Sequence, residues 1–502
     1  MKYTYIVLTF LLCQGQLFAQ EKYGDTWFLG SWNYYQTLTW VTKDSIINKV
    51  VTEKNQITYN DPYAAICDKN GKLKFYSSGC AIAGSNQKII SNGTQINPGS
   101  IHDSYCNKLS TAIYPAYNNG IFLPKPGDST TYYLFHTGKE TFDVGNGATL
   151  FPFGDFYFSI IDDSGKTPKV TKKNMRIAKD TLSQMGPLAC KHANGKDWWV
   201  VVPTIIKHGF YRALLTKDSV AFTGFQLLGV TWGRTTDDYL GQGVFSPDGS
   251  KYVRSDPFNG TYIYNFDRCT GLMSQLAFID TLALSPCQGV AISQNSRYLY
   301  LSNVNTLHQF DLEAADINES KVKIGEYDGG LTATGNENSF YKLSIAPDDK
   351  IYMAATNSTS RLHVIHKPNE KGLACDFKQH DFLLLTAMYL GMPNYPNFRL
   401  GKKEGVICPP LVGNRDLSQA NFELSVYPNP TNGQLHINTS IFFSTLYIKD
   451  ITGREIKKIA TSPYTSGYQI NTYDMENGIY FISGISENGA KVAVQRFVVQ
   501  HY

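Results

Sequence analysis

The sequence predicts an all-β protein: a β-propeller of about seven blades followed by a small antiparallel β-sandwich. Three observations predict it. Short runs of Tyr, Phe, Val, Ile and Thr alternate with Asp-Gly, Asn-Gly or Ser-Gly turns, and long amphipathic helical patterns are missing. Aromatic residues make up 13% of the chain, with 33 tyrosines, a composition suited to half-buried pleated surfaces. A turn-centred unit also recurs through the middle of the 502 residues.

The chain opens on an export pattern over residues 1–19. Lys2 gives a positive start, and Tyr5 to Cys13 (YIVLTFLLC) is an apolar run too short to span a bilayer. Ala19 offers a small residue for cleavage before Gln20, although Leu17, three before the cut, is larger than the position favours. Cys13 follows Leu12 rather than the small residue that a lipoprotein anchor wants. A signal peptide and passage through the periplasm are therefore expected. No later run of about 18 apolar residues predicts a membrane-spanning helix. The net charge of +4 is weak, and the basic pairs Lys172-Lys173, Lys402-Lys403 and Lys457-Lys458 are isolated, which argues against a nucleic-acid surface.

The propeller is expected over residues 24–400. FSPDGSKYV (Phe245 to Val253), ISQNSRYLYL (Ile292 to Leu301) and IAPDDKIYMA (Ile345 to Ala354) share one grammar: an apolar strand, a tight Asp or Asn turn, a basic residue and an aromatic strand. ICDKNGKLKFY (Ile66 to Tyr76), KHANGKDWWVVV (Lys191 to Val202) and the looser LPKPGDSTTYYLF (Leu123 to Phe135) repeat it. The turn residues Asn70, Asp128, Asn194, Asp248, Asn295 and Asp348 lie 58, 66, 54, 47 and 53 residues apart. Common propeller blades repeat every ~40–50 residues. A further strand and second turn follow most of these units, as a four-stranded blade requires. Separate sandwich domains also space short strands regularly, but would not repeat this grammar. Six units are visible. A seventh blade is expected to join the strand around Trp27 to Gly30 with the strand near Phe382 to Leu385, closing the ring.

Removing Cys13 with the signal leaves eight of the nine cysteines, an even number that favours disulfides in an exported protein. Spacing leaves 105 pairings open. Cys269–Cys287 and Cys375–Cys408 are favoured because each pair brackets one local unit. No CxxC or zinc-finger spacing of His and Cys supports a metal site.

Residues 401–421 form a linker without strand pattern, and strands resume over residues 422–502. There Tyr427, Pro428, Asn429, Pro430, Asn432 and Gly433 open the domain; Asp450, Thr452, Gly453 and Arg454 make a central turn; Asn477, Gly478, Ile479 and Tyr480 precede the penultimate strand; and Val492 to Val499 form the last. The prolines remove donors and keep the first strand extended, and Gly453 and Gly478 permit turns with positive φ. This series resembles the type A C-terminal sorting domain of the type IX secretion system of Gram-negative bacteria. The resemblance implies a partner in the type IX secretion machinery, transport across the outer membrane, and a mature protein that is secreted or held at the outer cell surface. The body, about residues 24 to 410, resembles a family of secreted propeller-like proteins often joined to that domain. The stretches that carry this are HANGKDWW (His192 to Trp199), FDRCTG (Phe266 to Gly271), NSRYLYLS (Asn295 to Ser302), FDL (Phe310 to Leu312) and NYPNFRLG (Asn394 to Gly401). This likeness implies fold and location but no chemistry, and makes Cys269, Cys375 and Cys408 recurring positions.

No HExxH, GxSxG, P-loop or GxGxxG pattern is present, and GQGVFSPDG opens a strand rather than a helix. Asp162-Asp163-Ser164-Gly165 has oxygens for calcium but lacks a full ligand loop, so a turn is expected. His192, Asp197, Trp198 and Trp199 place an imidazole, a carboxylate and two indoles in one hairpin. A sugar-stacking or catalytic wall is one reading. The plainer one is a turn and blade strand with one Trp in the core and the other partly exposed. His363 and His366, three apart, face opposite sides of a strand and should not chelate together. No catalytic, cofactor-binding or metal-binding residue is assigned. The expectation is a non-enzymatic binding or interaction protein for a glycan or protein ligand. The alternative is an extracellular polysaccharide hydrolase or lyase with acidic residues at the channel mouth.

Overall fold

The computed structural model describes residues 21–31, 34–52, 57, 64–107, 114–115, 120–140, 142–143, 149–150, 153–205, 209–228, 241–257, 259–280, 287–332, 335–408, 424–439, 443–460, 467–486 and 491–501. The signal peptide expected over residues 1–19 and most of the expected linker lie outside these.

Seven antiparallel blades follow one another among the described residues. Blade 1 is Thr26–Ser31, Tyr34–Thr42 and Ser45–Val51. Blade 2 is Ala64–Cys67, Leu73–Ser77, Ala81–Gly84 and Ile89–Thr94. Blade 3 is Gly120–Pro124, Thr131–Lys139, Phe153–Asp162 and Lys169–Leu182. Blade 4 is Leu188–Lys191, Trp198–Pro203, Gly209–Leu215 and Val220–Leu227. Blade 5 is Gln242–Phe245, Lys251–Asp256, Gly260–Phe266 and Met273–Ile279. Blade 6 is Cys287–Ile292, Tyr298–Asn303, Thr306–Asp311 and Val322–Glu326. Blade 7 is Phe340–Ile345, Ile351–Ala355, Thr359–Ile365 and Phe377–Met388. Strands of each blade pair in chain order, and the outer strands of blades 2 and 3 touch in a parallel pair at Ser91 and Lys169. First strands of successive blades meet around a common axis, which makes the body a propeller.

The repeated grammar has a local physical cause. The six turn residues singled out above all fall in the first hairpin turn of blades 2 to 7. Side-chain oxygens of Asp128, Asn194, Asp248, Asn295 and Asp348 accept the backbone N–H two residues on, at 2.8, 2.9, 2.9, 3.2 and 3.2 Å. In blade 2 Asp68 does this, accepting from Asn70 N at 2.9 Å. These Asx turns reverse the chain without a ladder partner. The aromatic that follows is buried between blades, as with Trp198, Tyr252, Tyr298 and Tyr352.

Blade 1 differs from the expectation. Phe382 to Leu385 lie in the outer strand of blade 7, where Leu362 and Arg361 pair with Phe382 and Leu383, while Trp27 to Gly30 pair only within blade 1. The two do not share a sheet. Among the described residues blade 1 has three strands, and the innermost is the one missing. Its first strand runs opposite to the first strands of the other blades: Thr26 Oγ1 donates to Gly71 O, in the first turn of blade 2, at 2.6 Å. In blades 2 to 7 the first strand ends at that turn rather than starting there. The seam with blade 7 closes through apolar packing of Trp27, Leu29, Leu38 and Trp40 on Tyr352, Leu362, Leu384 and Met388. Gln36 adds two bonds, Nε2 to Thr386 O at 2.7 Å and Oε1 from Leu385 N at 2.9 Å.

The disulfides also correct the sequence reading. They join Cys269 to Cys408 and Cys80 to Cys106. Cys375 is a buried free thiol, so neither Cys269–Cys287 nor Cys375–Cys408 forms. Bracketing one local unit failed as a guide because Cys269–Cys408 spans 139 residues and follows the ring, not the repeat.

The C-terminal domain is a sandwich. Leu424–Tyr427, Gln434–Thr439 and Gly467–Asn471 form one sheet; Phe443–Asp450, Glu455–Ala460, Gly478–Ser486 and Lys491–Val499 form the other. Leu435, Ile437, Leu446, Ile448, Ile482 and Phe497 make its core. Asp450 organises the expected turn, accepting Thr452 Oγ1 at 2.6 Å, Thr452 N at 2.9 Å and Arg454 N at 3.1 Å; these bonds, the Thr452 hydroxyl first, hold its carboxyl down at about 2. Gly453 has φ 85° as expected. Gly478 does not have positive φ; Gly433 does, at 145°, where a Cβ would strike the Tyr473 ring.

Candidate functional site

A propeller's chemistry is sought first at its axis, and here the axis is filled by the chain itself. After blade 7, residues 389–408 run through the channel from one face to the other as a strap. Tyr389 N donates to Gly30 O (3.2 Å) at the far end of blade 1. Within the channel, Pro393 O accepts Ser344 Oγ (3.3 Å), Asn394 Nδ2 donates to Pro187 O (3.2 Å) and Tyr395 OH to Thr26 O (3.0 Å). On the turn face, Asn397 Nδ2 donates to Pro247 O (2.7 Å), Arg399 pairs with Asp25 (2.7 Å) and Lys403 N donates to Ala193 O (2.9 Å). Gly195 has φ 72°, and a Cβ there would collide with the Lys402 backbone. The strap ends in the Cys408–Cys269 bond. It takes the place of blade 1's missing inner strand without joining any sheet among the described residues, and Pro393 and Pro396 have no N–H to give.

The space left beside the strap is about 80 Å³, bounded by first-strand residues of blades 3 to 7 such as Ile121, Leu188, Gln242, Ala291 and Leu343. Among the described residues no Asp, Glu, His, Lys or Arg lines it. Its long polar side chain is consumed: Gln242 donates to Leu343 O (2.6 Å) and accepts from Val290 N (3.1 Å) and Leu343 N (3.2 Å), tying three blades together. A second cavity of about 130 Å³ opens on the turn face between Asp25, Asp349, Tyr395 and Arg399. Its charges are matched, Asp25 to Arg399, Asp349 to Lys43 and Glu21 to Lys191.

The hairpin candidate is structural. Trp198 and Trp199 are both buried, against the expectation of one partly exposed, so neither offers a stacking face. Trp199 Nε1 donates to Arg268 O at 2.9 Å. His192 is buried, with Nε2 on Cys269 O (3.1 Å) and Nδ1 accepting from Asn194 N (3.1 Å). Asp197 accepts from Asn194 Nδ2 (2.7 Å). His363 and His366 have separate surroundings: His363 is buried on Asn338 O (2.9 Å), while His366 meets Asp381 (2.8 Å). Asp162 accepts from Ser164 N and Oγ (2.9 and 2.6 Å), an ordinary turn.

Two titratable clusters escaped the sequence reading. On the third strand of blade 3, buried Asp155 meets Arg176 Nε at 2.6 Å, and Glu140 meets Lys179 at 3.1 Å. Burial raises the Asp155 carboxyl above its usual range; Arg176 opposes this and Glu140 adds to it. In blade 7 the His363 and His380 rings lie 4.8 Å apart, and His380 reaches Asp328 at 3.0 Å. Burial brings the His363 ring down to about 4. Both clusters join residues distant in sequence, so no local motif announces them. Among the described residues, no group of three or more His, Cys, Asp or Glu side chains is placed to hold a metal ion, and no helix is long and apolar enough to cross a membrane.

With this geometry in hand, comparison with known proteins bears on the tail. Residues 425–500 match the family described as a secretion system C-terminal sorting domain. The tail is a sorting domain. The match covers the Tyr427–Gly433 opening, the Asp450 turn and the last strand, and it supports export of the chain by the type IX system. A search of curated proteins finds no match. Among solved structures, a protein from Lactobacillus plantarum is similar over 75% of this chain and 97% of its own (14% identity, TM-score 0.41). One of unknown function from Desulfotomaculum acetoxidans is similar over 74% and 99% (10%, 0.40). PorZ, a surface component of the type IX secretion system of Porphyromonas gingivalis, is similar over 93% of this chain and 63% of its own (12%, 0.36).

Proposed function

We propose that the protein passes through the periplasm, is exported by the type IX system through its sorting domain, and acts at the cell surface or outside the cell by binding a glycan or a protein without transforming it. One observation carries the reading: the strap occupies the axis, burial pushes the Cys190 thiol in the remaining space up to about 12, Tyr395 OH is spent on Thr26 O, and among the described residues that space has no Asp, Glu, His, Lys or Arg side chain in its wall. General acid–base or nucleophilic chemistry needs such a group within reach of substrate. The carboxylates at the turn-face cavity each have a cationic partner. Asp155, on the third strand of blade 3, and Glu140, just past its second strand, are held by Arg176 and Lys179 away from the axis.

The test is a glycan array probed with residues 20–408, followed by incubation of any hit and assay for new reducing ends or unsaturated sugars. Retention without product supports binding. Product whose formation is lost in Asp155→Asn would overturn it in favour of the polysaccharide hydrolase or lyase.

A further inference from the structure

We infer that the strap and the Cys269–Cys408 disulfide form a redox latch that holds the propeller ring shut at the seam between blades 7 and 1. Four observations lead there. First, the seam borders the blade that, among the described residues, lacks an inner strand, and no sheet among them joins blade 7 to blade 1. Secondly, the strap substitutes for that strand through scattered bonds to blades 1, 4, 5 and 7, most of them involving side chains, with backbone bonds at its two ends from Tyr389 N to Gly30 O and from Lys403 N to Ala193 O. Its prolines deny it the cooperative pairing that fixes the other inner strands. Thirdly, its far end is covalently fixed in blade 5, at the turn before Met273–Ile279, far around the ring from the seam. Fourthly, Arg268 beside that bond donates to Lys191 O (2.9 Å) and His192 O (3.2 Å), so the anchor is itself braced against blade 4.

The latch closes only when blades 4, 5 and 7 are all in place, because Cys408 reaches Cys269 only after the strap has crossed the channel. Closure is a two-electron step. The thiols of Cys269 and Cys408 lose two electrons and two protons to a disulfide-bearing oxidant, which leaves as a dithiol, and the sulfurs join. A dithiol reductant reverses it. The free thiol of Cys190, beside Arg268, does not compete: it is buried and pushed up to about 12, which denies it the thiolate form that exchange requires. The second bridge, Cys80–Cys106, lies in the blade 2 and 3 region, away from the seam with blade 7, so it serves as an internal control.

The experiment is hydrogen–deuterium exchange with mass spectrometry on the full chain, comparing wild type with Cys408→Ser and Cys80→Ser. In Cys408→Ser, peptides covering Thr26–Ser31, Tyr34–Thr42 and Phe377–Met388 should exchange at least tenfold faster, while Cys287–Asp311 stays as in wild type. Cys80→Ser should leave the seam unchanged. If Cys408→Ser does not fold, folded wild type treated with dithiothreitol is compared with Cys80→Ser treated likewise, and equal seam acceleration in both supports the latch. Acceleration confined to residues 267–270 and 400–408, or seam acceleration in untreated Cys80→Ser equal to that in Cys408→Ser, overturns it.

Discussion

Blades 2 to 7 and blade 1 solve one problem in two ways. Each of the six makes its own inner strand and turns the chain with a side chain two residues from the N–H it accepts. Blade 1 makes three strands and takes its inner element from residues almost four hundred positions away. The inner strands of the regular blades are held by local hairpin bonds; the strap that stands in for the missing one is held by tertiary contacts and one covalent bond to blade 5. Local turns close cheaply in entropy, whereas a long-range closure needs compensation from packing or a cross-link. The difference teaches that the ring's weakest junction and its strongest long-range constraint serve the same place.

The largest expected effect breaks the covalent half of that contrast. Cys408→Ser should lower unfolding free energy by about 5 kcal/mol, the chain-entropy value for a loop of this length, read by denaturant titration. A cost near zero would mean that the strap holds without the bond. Next, Trp199→Ala in a regular blade should cost about 3–5 kcal/mol, since it empties a buried site and leaves Arg268 O with only its bond from Ala193 N.

A third test uses acid. Burial lowers His363 to about 4 and His136 to about 3, both below the ~6.5 of an unfolded chain. Both rings are neutral when folded, so unfolding takes up protons as pH falls. Stability should be full above about pH 6.5 and decline towards pH 4, by about 3 kcal/mol for His363 alone. Calorimetry at pH 7 and pH 4.5 should show a smaller loss in His363→Gln than in wild type. The smallest effect sharpens the seam: Arg399→Ala removes a partly exposed partner from buried Asp25 and should cost about 1–2 kcal/mol.

Much of the regular part was legible because its cause is local. Asn70, Asp128, Asn194, Asp248, Asn295 and Asp348 mark six first turns, and six four-stranded blades are present. The sandwich and its Asp450 turn were legible for the same reason. Blade 1 was not, because Trp27 to Gly30 read as any apolar strand and nothing local says that its inner neighbour is absent. NYPNFRLG was noticed as a stretch but not as a strap, since its partners Pro187, Pro247 and Asp25 lie far off in sequence. The disulfide went astray for that reason too. At the candidate site, HANGKDWW displayed the right residue types for a sugar wall, but burial of both indoles is a property of neighbouring blades and not of the hairpin.

The most direct test of the filled axis is oxidative footprinting of methionines in the folded chain. Met392 begins the channel segment and is 1% exposed, whereas Met175, on the outer strand of blade 3, is 42% exposed. Met392 should resist peroxide under conditions that convert Met175 to the sulfoxide; oxidation of both at the same rate would place the strap outside the channel and leave the axis open.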